Sequence, residues 1–462
     1  MRFSPTLCLL LSASLYAAQP NVVLIMSDDM GWADPGCYGS KVNPTPNIDR
    51  LSTEGLRFTS FYATQAVCTS SRTALMTGCY PNRLGLGGAA LGPGSKIGLS
   101  NDEQTLGTLL RNSGYHTGVI GKWHLGDAPK FLPPAHGFDD SMVLPYSNDM
   151  WPLGYVMGDE TRRKMYPELP RYVNGHQLGF VKDWVDMDAL TSSQGLRAVK
   201  FIYDSAGKEK PFFLYLATSM PHVPLGASSD FKGKHATPFA DTMADIDRAV
   251  GAVLKALREK DVENNTIVIF TSDNGPWLNF GRHAGSAGPF REGKGTTFEG
   301  GVRVPCIIKW PGVVKPGRTT DALAANIDFV PTLLEACGGT KPKNAIDGQS
   351  FLPLLKGDKE SAREAFTYFY GDKLEAVRQG RWKLHLPHAY RSYVDMIPAK
   401  QDGQPATTHQ RQIGFALYDL QADPGEQVDV REGHPEIVEQ LKALADSERK
   451  ALDAGKRPVG RL

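Results

Sequence analysis

The sequence predicts an α/β fold: a doubly wound, mostly parallel sheet flanked by helices, followed by a smaller C-terminal domain of antiparallel sheet plus helix. Continuous apolar runs of strand length at residues 21–26, 212–218 and 266–270 mark strands covered on both faces, as parallel strands are. Helical stretches such as residues 241–260 alternate with them, which is the pattern of βαβ units. Beyond Gly357 the character changes to β-rich pieces at 366–370 and 382–386, and an amphipathic helix is expected over residues 435–453. The division expected is a leader at 1–18, a large α/β domain at 19–345 and an α+β domain at 346–462.

The leader has one positive charge at Arg2, a short apolar run from Leu7 and small residues at Ala17 and Ala18. It is too short for a membrane span and reads as a cleaved export signal, placing the mature chain in the periplasm or outside the cell. No other uninterrupted apolar run is long enough to span a bilayer, so no transmembrane segment is expected. Lys+Arg 51 against Asp+Glu 50 leaves a net charge of +1, which excludes bulk attraction to nucleic acid or an anionic membrane. Any anion binding must be local. Cys37, Cys68, Cys79, Cys306 and Cys337 remain after the leader, too odd and sparse a set for a disulfide framework.

The first strand ends in Ser27-Asp28-Asp29, and a later one in Ser272-Asp273-Asn274. Open α/β sheets place ligands at the carboxyl ends of their strands. Each pair alone would serve equally as an Asx turn. Together Asp28, Asp29, Asp273 and Asn274 supply four hard oxygens, a donor set for Ca²⁺ with Mg²⁺ the second choice.

Between them lies Cys68-Thr69-Ser70-Ser71-Arg72-Thr73-Ala74-Leu75-Met76-Thr77-Gly78. Small hydroxyl residues followed by good helix formers put Cys68 at or just before a helix N-terminus, where the helix dipole favours an anion. Arg72, four residues on, shares its face. A lone cysteine here is more often a small buried apolar residue than a nucleophile. Residues 104–112 read as a helix broken by Gly114, and residues 115–120 as a strand leading to Gly121-Lys122-Trp123-His124. Taken singly, Lys122 reads as a surface charge and His124 as a core imidazole.

The stretch from Cys68 to Gly78 resembles the sulfatase signature Cys-x-Pro-Ser-Arg-x-x-x-Leu-Thr-Gly, with Met76 in the Leu position and Ser70 where the family has Pro or Ala. The run from Gly114 to His124 resembles the second sulfatase signature without departure. Looser matches follow in order: 144–149 with Ser147, 219–224 with His222, and the glycine-rich 291–303 with Lys294. The chain is thus identified as a member of the type I sulfatases, of the arylsulfatase class in the alkaline phosphatase superfamily.

That resemblance implies hydrolysis of sulfate monoesters, on an aryl group or a sugar. It implies that a maturation enzyme converts Cys68 to Cα-formylglycine, whose hydrate attacks sulfur, with Cys68 also counted among the metal ligands. Arg72 is implied to hold the nucleophile, Lys122 and Lys294 the sulfate oxygens, and Ser147 to orient the sulfate. His222 is implied as acid for the leaving alcohol and His124 as base for regenerating the aldehyde. A phosphodiester or phosphonate hydrolase of the same superfamily, or a non-catalytic sulfated-glycan-binding protein should Ser70 block maturation, are the alternatives. Specificity elements are expected at 148–172, with Trp151 stacking on a pyranose, and at Arg282-His283.

Overall fold

Among the described residues, the apolar runs at 21–26, 212–218 and 266–270 form inner strands of one 11-stranded sheet. The computed structural model describes residues 19–88, 90–154, 159–358 and 363–462; the expected export signal lies outside them. Strand Asn21–Ser27 sits at the centre, fully buried, paired in parallel with Phe212–Ala217 on one side and Thr266–Ser272 on the other. Strands His116–Lys122 and Asp140–Leu144 continue the parallel run beyond Phe212–Ala217. On the far side Arg303–Lys309 pairs antiparallel with both Thr266–Ser272 and Leu56–Tyr62. The sheet is therefore mixed with a parallel heart. Helices pack on both faces over two large apolar clusters, one centred on Val22, Leu24 and Phe213, the other on Val23, Ile25 and Leu214. Alternate residues of the same strands feed opposite cores, as period-2 geometry requires.

The expected helices form with small shifts in their bounds. That at 104–112 is Leu106–Asn112, capped by Thr105, whose hydroxyl accepts from the Thr108 amide at 3.0 Å. That at 241–260 is Pro238–Glu259, started one turn earlier by the Thr237 cap and a proline in the first turn. The last is Pro435–Ala454.

The C-terminal part forms a four-stranded antiparallel sheet, Ala365–Tyr370, Lys373–Gln379, Trp382–His385 and Ala416–Asp419, with helix Pro435–Ala454 against it. A separate hairpin joins His388–Ile397 to Thr407–Ile413. The tail returns to the large sheet's side of the molecule, where Gly460–Arg461 pairs with Ile97–Gly98. Among the described residues no helix is long and apolar enough to cross a membrane.

A buried ionic cluster joins the two parts. Lys383 donates to Glu299 at 3.0 Å and lies 2.9 Å from Glu426, all three being fully enclosed. Burial alone would raise the Glu299 carboxyl, but Lys383, Arg303 and Arg378 bring it down to about 2. A depressed carboxyl contributes stability that is present above its unfolded value near 4.5 and is lost as pH falls toward 2. Urea unfolding followed between neutral pH and pH 2 should show about 3 kcal/mol of this loss. Lys383→Met should cost about 3–5 kcal/mol at neutral pH, because it strands two buried carboxylates. An unfolding midpoint unmoved by either change would disprove the assignment.

Candidate active site

Parallel register fixes the site. Ser27 lies opposite Ser272, so Asp28-Asp29 and Asp273-Asn274 leave the sheet side by side at one edge. Strand His116–Lys122, in register with Phe212–Ala217, ends at the same edge and delivers Lys122. The segment after Phe212–Ala217 brings His222 there. Asp29 and His124 both hold φ near 62°, left-handed backbone that costs a non-glycine residue about 1–3 kcal/mol and concentrates at functional sites.

Cys68 is the first residue of helix Cys68–Thr77, and every residue of that helix is buried. Its thiol lies 3.3 Å from Asp28 Oδ1 and 3.5 Å from Lys294 Nζ. The hydroxyls around it do not cap the helix as their position suggested. Thr69 donates to the His124 carbonyl at 3.0 Å and accepts from the Leu91 amide at 3.1 Å. Ser70 donates to the Leu86 carbonyl at 2.7 Å, so it anchors the loop that follows the helix. Arg72 holds Asp273 Oδ2 through Nε at 3.1 Å and Nη2 at 3.0 Å, and its Nη1 donates to the Lys122 carbonyl at 2.8 Å.

Lys122 Nζ contacts Asp28 Oδ2 and donates to Ser147 Oγ at 3.1 Å. Lys294 Nζ donates to Asp29 at 2.7–2.8 Å and sits 4.7 Å above the Trp277 ring. His222 Nε2 is 3.5 Å from Asp29 Oδ2, and its Nδ1 contacts the Val223 carbonyl. His124 Nε2 donates to the Leu91 carbonyl at 2.9 Å. A carbonyl only accepts, which assigns the proton to Nε2 and leaves Nδ1 a buried lone pair without a partner. The structure thus gathers the residues expected from sequence, with His124 beside the cluster through Thr69 and Leu91.

Electrostatics follow from burial among charges. Burial would raise Asp28, but Lys122, His222, Arg72 and Lys294 hold it well below the usual carboxylate range. Burial and Asp28 push the Cys68 thiol well up, so the unmodified side chain is a neutral thiol. Burial and the nearby Lys122 and Arg72 push His124 well down; burial and Lys294 lower His222, with Asp29 opposing. Burial and Asp28 raise Asp273 to about 7 against the pull of Arg72.

The donor set fits a hard divalent cation. Ligand atoms of Asp28, Asp29, Cys68 and His222 lie within 4.8 Å of one another. Asn274 Nδ2 donates to Asp29 Oδ1 at 2.7 Å while its Oδ1 is buried with no partner. Asp273 adjoins the group through the Asp29 amide, which donates to its Oδ1 at 3.1 Å. An orphaned carbonyl oxygen beside carboxylates, one of them raised, is what such an ion satisfies.

A sulfatase family model matches residues 20–339, and a model for the C-terminal region of aryl-sulfatase matches 361–462. Bovine (Bos taurus) arylsulfatase A is 38% identical over 95% of this chain and 90% of its own length. The chain belongs to the sulfatase family. It is an enzyme of the type I class, which hydrolyses sulfate esters. Canine (Canis lupus familiaris) N-acetylgalactosamine-6-sulfatase is 34% identical over 92% of this chain and 84% of its own. The crystal structure of PsFucS1 sulfatase from Pseudoalteromonas sp. superposes with a TM-score of 0.85 at 30% identity, over 96% of this chain and 92% of that one.

In this sulfatase some expectations need correction and some residues went unread. Trp151 is 1% exposed and donates its indole N–H to the Val181 carbonyl at 2.8 Å, so it is core and offers no face to a sugar. Asn148 is buried too, bridging the carbonyls of His222 at 3.2 Å and Pro224 at 3.1 Å. Residues 169–172, placed at the end of a specificity loop, belong to the edge hairpin of Leu169–Val173 with His176–Val181. His283 stands 4.0 Å from Asp402 and packs against Gly403. Tyr393 was missed: its hydroxyl donates to the Lys294 carbonyl at 2.6 Å, and its amide to Glu292 at 2.7 Å. No local pattern announces a contact across about a hundred residues. Gly275 has a reason its motif did not give, since a Cβ there would meet the Gly300 carbonyl oxygen at 1.9 Å.

Asn148→Ala leaves two buried carbonyls unpaired beside His222. It should lower unfolding free energy by about 1–3 kcal/mol in urea titration, with loss of activity tracking the mispositioned imidazole. Unchanged stability would contradict the bridge.

Proposed function

We propose that this sulfatase hydrolyses a sulfated carbohydrate through a formylglycine made from Cys68, with Ca²⁺ at the carboxylate cluster, as an exported enzyme. The observation that carries this is Cys68 on the first turn of a buried helix, between the Lys294 ammonium and the Asp28 carboxylate, in a chain akin to arylsulfatase A. The large domain at 19–345 supplies the chemistry and the domain at 346–462 braces it.

Formylglycine supplies a hydrate oxygen as nucleophile at position 68, and a divalent cation held by Asp28, Asp29, Asp273 and Asn274 supplies a Lewis acid for a sulfate oxygen. The chain's own groups do the rest. Lys122 and Lys294 neutralise charge on the sulfate oxygens, and Ser147 Oγ, already bonded to Lys122, orients them. Arg72 fixes Asp273 and the end of the strand bearing Lys122. His222, its Nδ1 proton held by the Val223 carbonyl, would act as the imidazolium, Nε2 giving its proton to the leaving alcohol and Asp29 steadying the charge. The unpartnered Nδ1 of His124 can accept a proton as the aldehyde is regenerated. Sugar sulfates are favoured because the similar proteins named above include N-acetylgalactosamine-6-sulfatase.

Peptide mass of the Cys68 segment, from protein made beside a formylglycine-generating enzyme, should show conversion of thiol to aldehyde. Activity on sulfate esters with Cys68 wholly unmodified would refute the nucleophile. The same preparation should turn over aryl sulfate faster than aryl phosphate diester; the reverse order would favour a phosphodiesterase.

Dialysis against a chelator should abolish turnover, with Ca²⁺ restoring it better than Mg²⁺. Full activity after verified metal removal would exclude the cation site.

His222→Ala should fall by about 10²–10⁴ on a sugar sulfate, whose alkoxide needs a proton. On nitrophenyl sulfate, whose leaving group is already a stable anion, the loss should be small. Lys122→Ala should depress both alike. Equal losses for His222→Ala would leave it a binding residue.

A further inference from the structure

The C-terminal part places two side chains at the mouth of the site that the reaction above does not use. The hairpin turn after Ala365–Tyr370 is tied to the segment entering Cys68: Gln65 bridges to Phe369 and donates to the Gly371 carbonyl at 3.0 Å. Tyr370 at that turn is 38% exposed. From the other hairpin, strand His388–Ile397 contributes Arg391, half-buried. Both reach the turn that carries Lys294: a Cβ on Gly295 would lie 3.7 Å from Arg391 Nη1 and 3.7 Å from the Tyr370 hydroxyl. Gly295 is bonded through its amide to the Ala66 carbonyl at 3.0 Å, so this turn, Tyr370 and the approach to Cys68 form one wall.

Arg391 has no carboxylate partner among the described residues, unlike its neighbours Arg411, paired with Asp395, and Lys294, paired with Asp29. Tyr393, two residues along the same strand, is hydrogen-bonded to Arg391 and donates its hydroxyl to the Lys294 carbonyl at 2.6 Å. A guanidinium without a carboxylate partner among the described residues, beside an exposed phenol and next to a lysine proposed to handle sulfate, is suited to a second anionic group on a sugar ring.

We propose that Arg391 and Tyr370 form a specificity subsite for an acidic sulfated sugar, Arg391 pairing with an anionic group other than the scissile sulfate and Tyr370 lying along the ring. The proposal rests on the sulfatase reading and narrows its substrate to a sugar bearing either a second sulfate or a carboxylate. Both present the same planar or tripod oxygens to a guanidinium fork.

Nitrophenyl sulfate turnover serves as reporter, with three competitors: a monosulfated neutral hexose, a disulfated hexose, and a monosulfated disaccharide carrying a uronate. In the unaltered enzyme at least one doubly anionic competitor should inhibit about tenfold or more tightly than the neutral one, the worth of a charged hydrogen bond. Which one wins tells sulfate from carboxylate. Arg391→Ala should bring that ratio to within about twofold, and Arg391→Lys should retain part of it, since an ammonium keeps the charge but loses the fork. The readout is a ratio within one variant, so a general loss of activity does not imitate it, and Arg391→Gln repeats the comparison if the alanine variant melts early. Equal inhibition by all three in the unaltered enzyme, or a preference that survives Arg391→Ala, overturns the proposal. A silent reporter in the unaltered, matured enzyme would instead refute the proposed reaction at Cys68 on which the subsite rests.

Discussion

Asp28, Asp29 and Asp273 are buried together at one sheet edge, and the molecule is arranged around keeping them there. At an effective dielectric near 20, two like charges about 4 Å apart repel by about 4 kcal/mol. The cluster survives because Arg72, Lys122 and Lys294 each reach one of the carboxylates. These cations come from a helix, a strand end and a glycine-rich turn far apart in the chain. Each must be delivered to within a few tenths of an ångström. Parallel register does this for the strand ends, and the fully buried helix Cys68–Thr77 does it for Arg72.

Lys294 has no strand to fix it, and the C-terminal part supplies what is missing. Its backbone is held by the Pro276 carbonyl on one side and the Tyr393 hydroxyl on the other. Glu292, in left-handed backbone, accepts from Ser392 and Tyr393. A turn later, Glu299 anchors the same segment to Lys383 inside the C-terminal sheet. Buried ion pairs return little net stability, but breaking one is costly, so such a cluster fixes one arrangement against others. The second lysine of the site is therefore positioned by residues about a hundred positions downstream.

What could be read in the sequence divides along the same line. Strands 21–27, 212–217 and 266–272 were legible because burial on both faces writes itself as unbroken apolarity, and the clustering of the polar residues just beyond two of them follows from the strands. Strand Leu56–Tyr62 was not, since its Arg57, Thr59 and Ser60 interrupt the pattern. Helix bounds moved only by a few residues, where caps such as Thr237 decided them. Trp151 misled because an aromatic residue in a polar loop looks like a sugar platform until Val181 is seen to take its N–H. Tyr393 and Arg391 carry no local signal at all, and Asn148, read as a specificity element, instead bridges two buried carbonyls. Their roles exist only where separate segments pack.

The groups proposed to meet the sulfate and those proposed to meet the rest of the substrate thus have different structural origins. Asp28, Asp29, Lys122, His222 and Asp273 stand at or just beyond the ends of strands in the parallel heart, where any displacement would disturb both cores at once. Tyr370 and Arg391 stand on hairpins of the C-terminal part, joined to the site through a turn and a few backbone bonds. A substitution on such a hairpin alters contacts at the mouth without moving a strand end, whereas the same change at the sheet edge would uncouple a carboxylate from its cation. Tyr370 and Arg391 can therefore change while Ser392 and Tyr393, on the same hairpin as Arg391, keep the Lys294 turn in place.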